Sequence, residues 1–234
     1  MIDFHTHILP GIDDGSRNFE ESKKILNEAK NSGFTKVIST SHYAINVYEV
    51  PEYKRLSLID DLRSEISDIE IIVGSEIFLS YNIIDLLAEY KASTINNTRY
   101  ILFELPLRNY FPNLKDTINK LKENNYKLIL AHPERYKVVQ DNYNLLNEFK
   151  DMGILFQANY GSIIGFYGLK AQMIIKKMLK SNLVSFLGTD VHRENTVYPK
   201  VFKSLNKISK ITSQSYFDDI TTNNASIILN GDIL

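Results

Sequence analysis

Seven short apolar, β-branched runs alternate with helix-patterned stretches along the chain, and this alternation limits the fold more than any other feature. The predicted strands span 2–5, 36–40, 71–73, 100–103, 127–131, 154–158 and 183–187. Between them, apolar residues recur at helical spacing over 18–32, about 52–69, 83–90, around 114–121, near 142–150 and over 169–180. Asn18 with Glu21 three residues on reads as a capping-box-like helix start, and Gly33 as the stop. From Tyr198 the tail reads as helices, with Asn223 or Asn224 as the cap of the last. Strand–helix pairs joined without a long Pro/Gly/Ser linker imply a parallel sheet wrapped by helices. At 234 residues the pattern is expected to make one domain over 1–234. A closed or nearly closed β/α barrel is the favoured architecture, and an open doubly wound sheet is the alternative.

Composition narrows the function. Twenty-seven basic and 28 acidic side chains leave a formal charge of −1, so no net charge draws the chain to nucleic acid or anionic lipid. The absence of cysteine removes disulfides, Cys-bound zinc and iron–sulfur clusters, and with them every thiolate nucleophile. The longest uninterrupted apolar run is four residues, far below a membrane span, and Met1-Ile2-Asp3-Phe4-His5-Thr6-His7 is no signal peptide. A cytoplasmic protein with no membrane insertion is expected.

In a β/α barrel, reactive groups come from the carboxyl ends of the strands and the loops after them. All five histidines obey that rule, each at or just past the end of a predicted strand: His5 and His7 at the first, His42 at the second, His132 at the fifth and His192 at the seventh. Carboxylates hold matching places, with Asp14 in the first loop, Glu76 after the third strand, Glu104 ending the fourth and Asp190 ending the seventh. Taken singly, a loop histidine is usually a surface residue, and Asp13-Asp14 between glycines could be a turn. Together these nine groups point to one metal-binding mouth. Imidazole and carboxylate without thiolate suit Mn²⁺, Zn²⁺ or Fe²⁺. Nine ligands exceed what one ion takes and suit two or three, with a carboxylate bridging. Clustered divalent cations activate water and clamp an oxygen-rich anion, which is the chemistry of phosphate-ester hydrolysis.

Arg135, three residues after His132, and Arg193, next to His192, both stand near that mouth, and a guanidinium fork matches phosphoryl oxygens. Gln157 and Asn159, two apart after the sixth strand, are expected to hydrogen-bond substrate or metal water, or else to cap the mouth. Tyr43, Phe78, Tyr136 and Tyr160 lie just past strand ends and could form an aromatic rim for a phenyl ring.

Six segments then stand in a telling order: His5-Thr6-His7-Ile8-Leu9-Pro10-Gly11-Ile12-Asp13-Asp14-Gly15, Ser39-Thr40-Ser41-His42, Val73-Gly74-Ser75-Glu76-Ile77, Phe103-Glu104-Leu105-Pro106, His132-Pro133-Glu134-Arg135-Tyr136 and Gly188-Thr189-Asp190-Val191-His192. The order resembles the polymerase-and-histidinol-phosphatase (PHP) family. The first and fifth segments are similar to its manganese-dependent protein-tyrosine phosphatases of bacterial capsule and exopolysaccharide clusters. This resemblance implies a distorted seven-stranded β/α barrel with a trinuclear site. By it, His5, His7, Glu76 and Asp190 hold the first metal; Glu76 bridges to a second completed by Glu104 and His132; Asp14, His42 and His192 hold the third. It further implies in-line attack on phosphorus by a metal-bound hydroxide, with arginines binding the phosphate. Arg135 matches its motif. The family's second arginine stands several residues beyond the Asp-x-His, and here Arg193 is the nearest. The implied substrate is the tyrosine-rich tail of a cytoplasmic bacterial tyrosine kinase that controls polysaccharide export. Rival readings are a small-molecule phosphatase such as histidinol-phosphatase, a nuclease of the polymerase branch, and a metal-binding regulatory module without turnover.

Overall fold

The computed structural model describes residues 1–109 and 111–234, which alternate strands and helices almost throughout. In chain order the elements are β1 (Ile2–Thr6), α1 (Phe19–Asn31), β2 (Lys36–Ser39), β3 (His42–Tyr43), α2 (Glu52–Glu65), β4 (Glu70–Val73), β5 (Glu76–Phe78) and α3 (Ile83–Ala88). There follow β6 (Tyr100–Glu104), α4 (Leu114–Glu123), β7 (Lys127–Ala131), α5 (Lys137–Asp141), α6 (Leu145–Asp151), β8 (Ile154–Asn159) and α7 (Tyr160–Ile163). The rest comprises α8 (Gly168–Lys180), β9 (Phe186–Gly188), α9 (Val201–Ser209), α10 (Gln214–Asp218) and α11 (Asn224–Leu229). Asn18 caps α1 as expected, its Oδ1 accepting from the Glu21 N–H at 2.9 Å.

Nine strand segments stand among the described residues where seven were expected, because the second and third strands each break once. Parallel pairing orders one sheet β1-β2-β4 and the other β3-β5-β6-β7-β8-β9. The breaks fall at Thr40-Ser41 and Gly74-Ser75. Backbone bonding bridges them, since Thr40 N–H donates to Thr6 O (2.8 Å) and Glu76 N–H to Thr40 O (3.0 Å). At the far side β9 meets β1, with Asp190 N–H donating to His5 O (2.8 Å) and His7 N–H to Val191 O (3.0 Å). The result is a strongly curled parallel sheet. One apolar cluster, with Phe4 stacked on Phe186 at 4.1 Å, is finished by Ala225 and Ile228 of α11. A larger one joins the sheet to the surrounding helices.

Three boundaries differ from expectation for identifiable reasons. The last strand begins at Phe186 because the Tyr216 hydroxyl takes both the Val184 N–H and its carbonyl, which would otherwise serve a ladder. The helix expected near 142–150 is α6, starting only at Leu145, and an additional helix, α5, precedes it and ends where Asn142 turns extended (φ −137°, ψ 92°). Neither Asn223 nor Asn224 caps the last helix: Asn223 is itself helical and donates to Asp219 Oδ1, while Asn224 donates to Ser185 O. Ser213 caps this C-terminal run instead, at Tyr216 N–H.

Candidate active site

Parallel strands deliver their carboxyl ends to one side, and the nine expected ligands meet there. The β3–β5 register sets His42 opposite Glu76, just past the breaks in the two strands. His5 Nε2 lies 3.1 Å from Glu76 Oε2 and 3.6 Å from Asp190 Oδ1. The corresponding distances from His7 Nε2 are 3.3 and 3.4 Å. His42 Nδ1 stands 3.2 Å from Glu76 and 3.1 Å from Glu104. Asp14 Oδ1 faces His42 Nε2 (3.5 Å) and His192 Nε2 (3.4 Å).

The outer nitrogens decide what the inner ones can do. His5 Nδ1 points at Gln157 Oε1 (2.8 Å), His7 Nδ1 at Asp13 Oδ2 (2.9 Å) and His192 Nδ1 at Asp190 O (2.9 Å). Each of these partners is an acceptor, so each Nδ1 carries the proton and each Nε2 turns a lone pair inward. His5 Nε2 and His7 Nε2 are then 3.0 Å apart, facing each other and two carboxylates. Glu76 Oε1 is buried without a hydrogen bond, although His132 Nε2 comes within 2.8 Å. Converging lone pairs with no donor between them are a cation site. Among the described residues the ligand atoms group as His7–Asp14–His42–His192, His5–His7–Asp190, His5–Glu76–His132 and His42–Glu76–Glu104. The donor set therefore fits divalent cations. Glu104 groups with His42, whereas the family pattern pairs it with His132.

A cleft of about 280 Å³ opens beside these groups, lined by Arg135, Phe166, Tyr167, Asp190, His192 and Arg193. Another cleft, about 590 Å³ beside Tyr43, Tyr53 and Tyr90, holds none of them. Arg135 pairs with Asp190 Oδ2 and stacks over the Tyr167 ring at 4.4 Å. Asn159 and Tyr167 also donate to Asp190 Oδ2, at 2.8 and 3.4 Å.

A sequence profile for capsular polysaccharide synthesis, CpsB/CapC, matches residues 1–230. The chain belongs to the CpsB/CapC family. CapC of Staphylococcus aureus is 30% identical over 226 residues, spanning 94% of this chain and 87% of CapC. The tyrosine-protein phosphatase CpsB of Streptococcus pneumoniae is 28% identical over 219 residues, 90% of each chain. The chain matches, at a TM-score of 0.93 and 26% identity, a chain from the crystal structures of YwqE from Bacillus subtilis and CpsB from S. pneumoniae, metal-dependent tyrosine phosphatases. That match covers 100% of this chain and 96% of the other. Histidinol phosphate phosphatase from Lactococcus lactis shares the fold, with a TM-score of 0.61, 15% identity and coverage of 90% and 93%.

In this CpsB/CapC chain several side chains stand elsewhere than expected. Tyr43, Tyr136 and Tyr160 do not form a rim: they are 3%, 0% and 0% exposed and pack in the core. Phe78 lines a separate groove with Tyr81 and Phe111. Gln157 and Asn159 are fully buried and hold His5 and Asp190 rather than facing solvent. Arg193 turns its guanidinium onto the backbone carbonyls of Asp14, Gly15 and His192, so it braces the first loop. Asp13 accepts from Gly15 N–H and His42 N–H as well as bonding His7, so it orients ligands rather than merely forming a turn. Sequence reading passed over Tyr167, and also Tyr48, whose ring stacks on His42 at 5.6 Å.

The electrostatics are those of a site where protons and cations compete. Burial works against charge on His7, yet its hydrogen bonds to Asp13, Asp190 and Glu76 hold its pKa well above the ordinary value. Burial likewise opposes charge on His42, but Glu76 and Glu104 raise it to about 9. A histidine raised on folding stabilises below its unfolded pKa and loses that contribution as pH climbs through the folded value. For His42 that window runs from 6.5 to about 9. Metal takes the same lone pairs. The unfolding midpoint of chelator-stripped protein is therefore expected to fall increasingly below that of Mn²⁺-loaded protein as pH rises through this window. A gap that stayed constant with pH would contradict the assignment.

Proposed function

We propose that this chain is a metal-dependent protein-tyrosine phosphatase, one unit over its 234 residues. In this reading it is a distorted barrel of seven staves, with three Mn²⁺ ions held at the mouth by His5, His7, Asp14, His42, Glu76, Glu104, His132, Asp190 and His192. The observation that carries the reading is the convergence of inward lone pairs beside the guanidinium fork of Arg135. CpsB and YwqE, named as tyrosine phosphatases, support it. The substrate we infer is the tyrosine-rich tail of a bacterial tyrosine kinase, as the family resemblance implies. No helix among the described residues is long and apolar enough to cross a membrane.

Bound divalent cations would supply a water activated near neutral pH and positive charge for phosphoryl oxygens. The chain's own groups do the positioning. Gln157 and Asp13 fix the tautomers of His5 and His7. Asp190 and the Tyr167 ring hold the Arg135 guanidinium at the cleft, where its fork can take two phosphoryl oxygens. Neither nearby spare acid is placed to give a proton to a leaving group. Asp13 is bonded to His7, His42 and Gly15. Glu134, whose carboxyl pKa burial raises, is fully enclosed, takes Asn159 N–H and Ser162 Oγ on one oxygen, and does not line the cleft.

That shortage selects the ester. A phenolate, with a conjugate acid of pKa about 10, departs with little protonation, whereas an alkoxide needs it. We expect kcat/KM for a phosphotyrosyl peptide to exceed that for histidinol phosphate by at least ~10-fold under matched metal and pH. The reverse order would sink the tyrosine-phosphatase reading and leave the cation site standing.

A further inference from the structure

We propose that Phe166 is the platform on which the aryl ring of the substrate lies, and so sets the preference of this cleft for aryl over alkyl phosphates. The proposal rests on the phosphatase reading above and adds the residue that reads the ester's organic half. Phe166 is 46% exposed, so its ring is not committed to the core. It lines the same cleft as Arg135, Asp190 and His192. Phosphate at Arg135 and an organic group against Phe166 would thus occupy one continuous space.

The surrounding chain presents the ring deliberately. Gly165 and Gly168 both adopt left-handed backbone, φ +86° and +90°, and bracket Phe166-Tyr167 in a reversal that residues with Cβ atoms adopt at a cost. Gly161 leaves room for the pair, since a Cβ there would meet Tyr167 at 3.1 Å and Phe166 at 3.2 Å. Phe166 N–H donates to Gly161 O at 3.0 Å, which pins the loop. The two rings then meet edge to face, 5.0 Å apart at 76°. Tyr167 thereby lies against both Arg135 and Phe166, while the Lys200 ammonium sits 5.1 Å from the Phe166 ring centre. The cation over the ring and Tyr167 packed against it limit its movement, and the part of Phe166 left exposed borders the cleft. The rim aromatics expected from sequence are core residues, so the cleft's ring contact falls to the Phe166–Tyr167 pair. Tyr167 is already engaged by Arg135, which leaves Phe166.

Direct binding separates ring recognition from leaving-group chemistry. Calorimetric titration of Mn²⁺-loaded protein with phenylphosphonate and methylphosphonate compares two ligands with the same anionic head and different organic halves. The wild-type chain is expected to favour phenylphosphonate by about tenfold, as an aromatic contact plus ring burial provides. Phe166→Ala should reduce that ratio about fivefold or more, and Phe166→Tyr, which keeps the ring, should restore it. Leu169→Ala, an exposed apolar change outside the cleft, should leave the ratio as it is. An unchanged ratio in Phe166→Ala, or no phenyl preference in the wild type, would overturn the proposal. If Phe166→Ala does not fold, Phe166→Leu decides: it keeps apolar bulk without a flat face and should still lower the ratio. Because these are affinities, a chain that bound phenylphosphonate through Phe166 but hydrolysed histidinol phosphate faster would sustain this proposal and defeat the phosphatase reading.

Discussion

Replacing Glu76 with glutamine is expected to lower hydrolysis of a phosphotyrosyl peptide by at least about 10³-fold, roughly 4 kcal/mol in the transition state. The side chain is fully buried and its two oxygens face different partners, His5, His7 and His42 on one side and His132 on the other. Burial alone would favour the neutral acid, but His5, His42 and His132 outweigh it and hold Glu76 ionised, well below the ordinary carboxylate range. Glutamine keeps the shape and removes the charge that allows cations to sit close together. Metal content per chain should fall along with turnover. The fold should persist, because its stability comes from apolar clusters that Glu76 does not join. A well-folded Glu76→Gln variant with normal metal content and turnover would show that this carboxylate bridges nothing.

Arg135 carries the second large effect. Truncation to alanine removes the cleft's one guanidinium not committed to backbone carbonyls and should cost about 10²- to 10³-fold in kcat, the loss expected for a donor aimed at developing charge. Arg135→Lys is the sharper experiment. Lysine keeps the charge but lacks the planar fork that two phosphoryl oxygens match, and it stacks poorly on Tyr167. Most of the loss should therefore remain in the lysine variant. Asn159 and Tyr167 still donate to Asp190 in either variant, so the carboxylate is not left bare. Activity within threefold of wild type in both would show that phosphate is held elsewhere.

The ligand cluster was legible in sequence because parallel strands bring residues at their carboxyl ends to one mouth, whatever the details of pairing. His5, His42, His132 and Asp190 needed only correct strand ends. The aromatic residues depended on something periodicity does not carry, namely which way the chain turns after a strand. Tyr43, Tyr136 and Tyr160 turn inward, where burial of a whole ring outweighs any exposed role. Phe166 turns outward because two left-handed glycines reverse the loop before α8, and no strand or helix pattern marks that reversal. The breaks in the second and third strands were equally hidden, since backbone bonds at Thr40 and Glu76 continue across them. Arg193 lines the cleft, as its place beside His192 suggests, but sequence does not reveal that its guanidinium finds acceptors in the carbonyls of Asp14 and Gly15.

The most direct measurement removes the cations and returns them. Protein stripped by chelation should lose activity on a phosphotyrosyl peptide by at least about 10³-fold. Adding Mn²⁺ should restore it as metal analysis counts two or three ions per chain, with no change on thiol alkylation of a chain that has no cysteine. Full hydrolysis by verified metal-free protein would contradict the account at its centre.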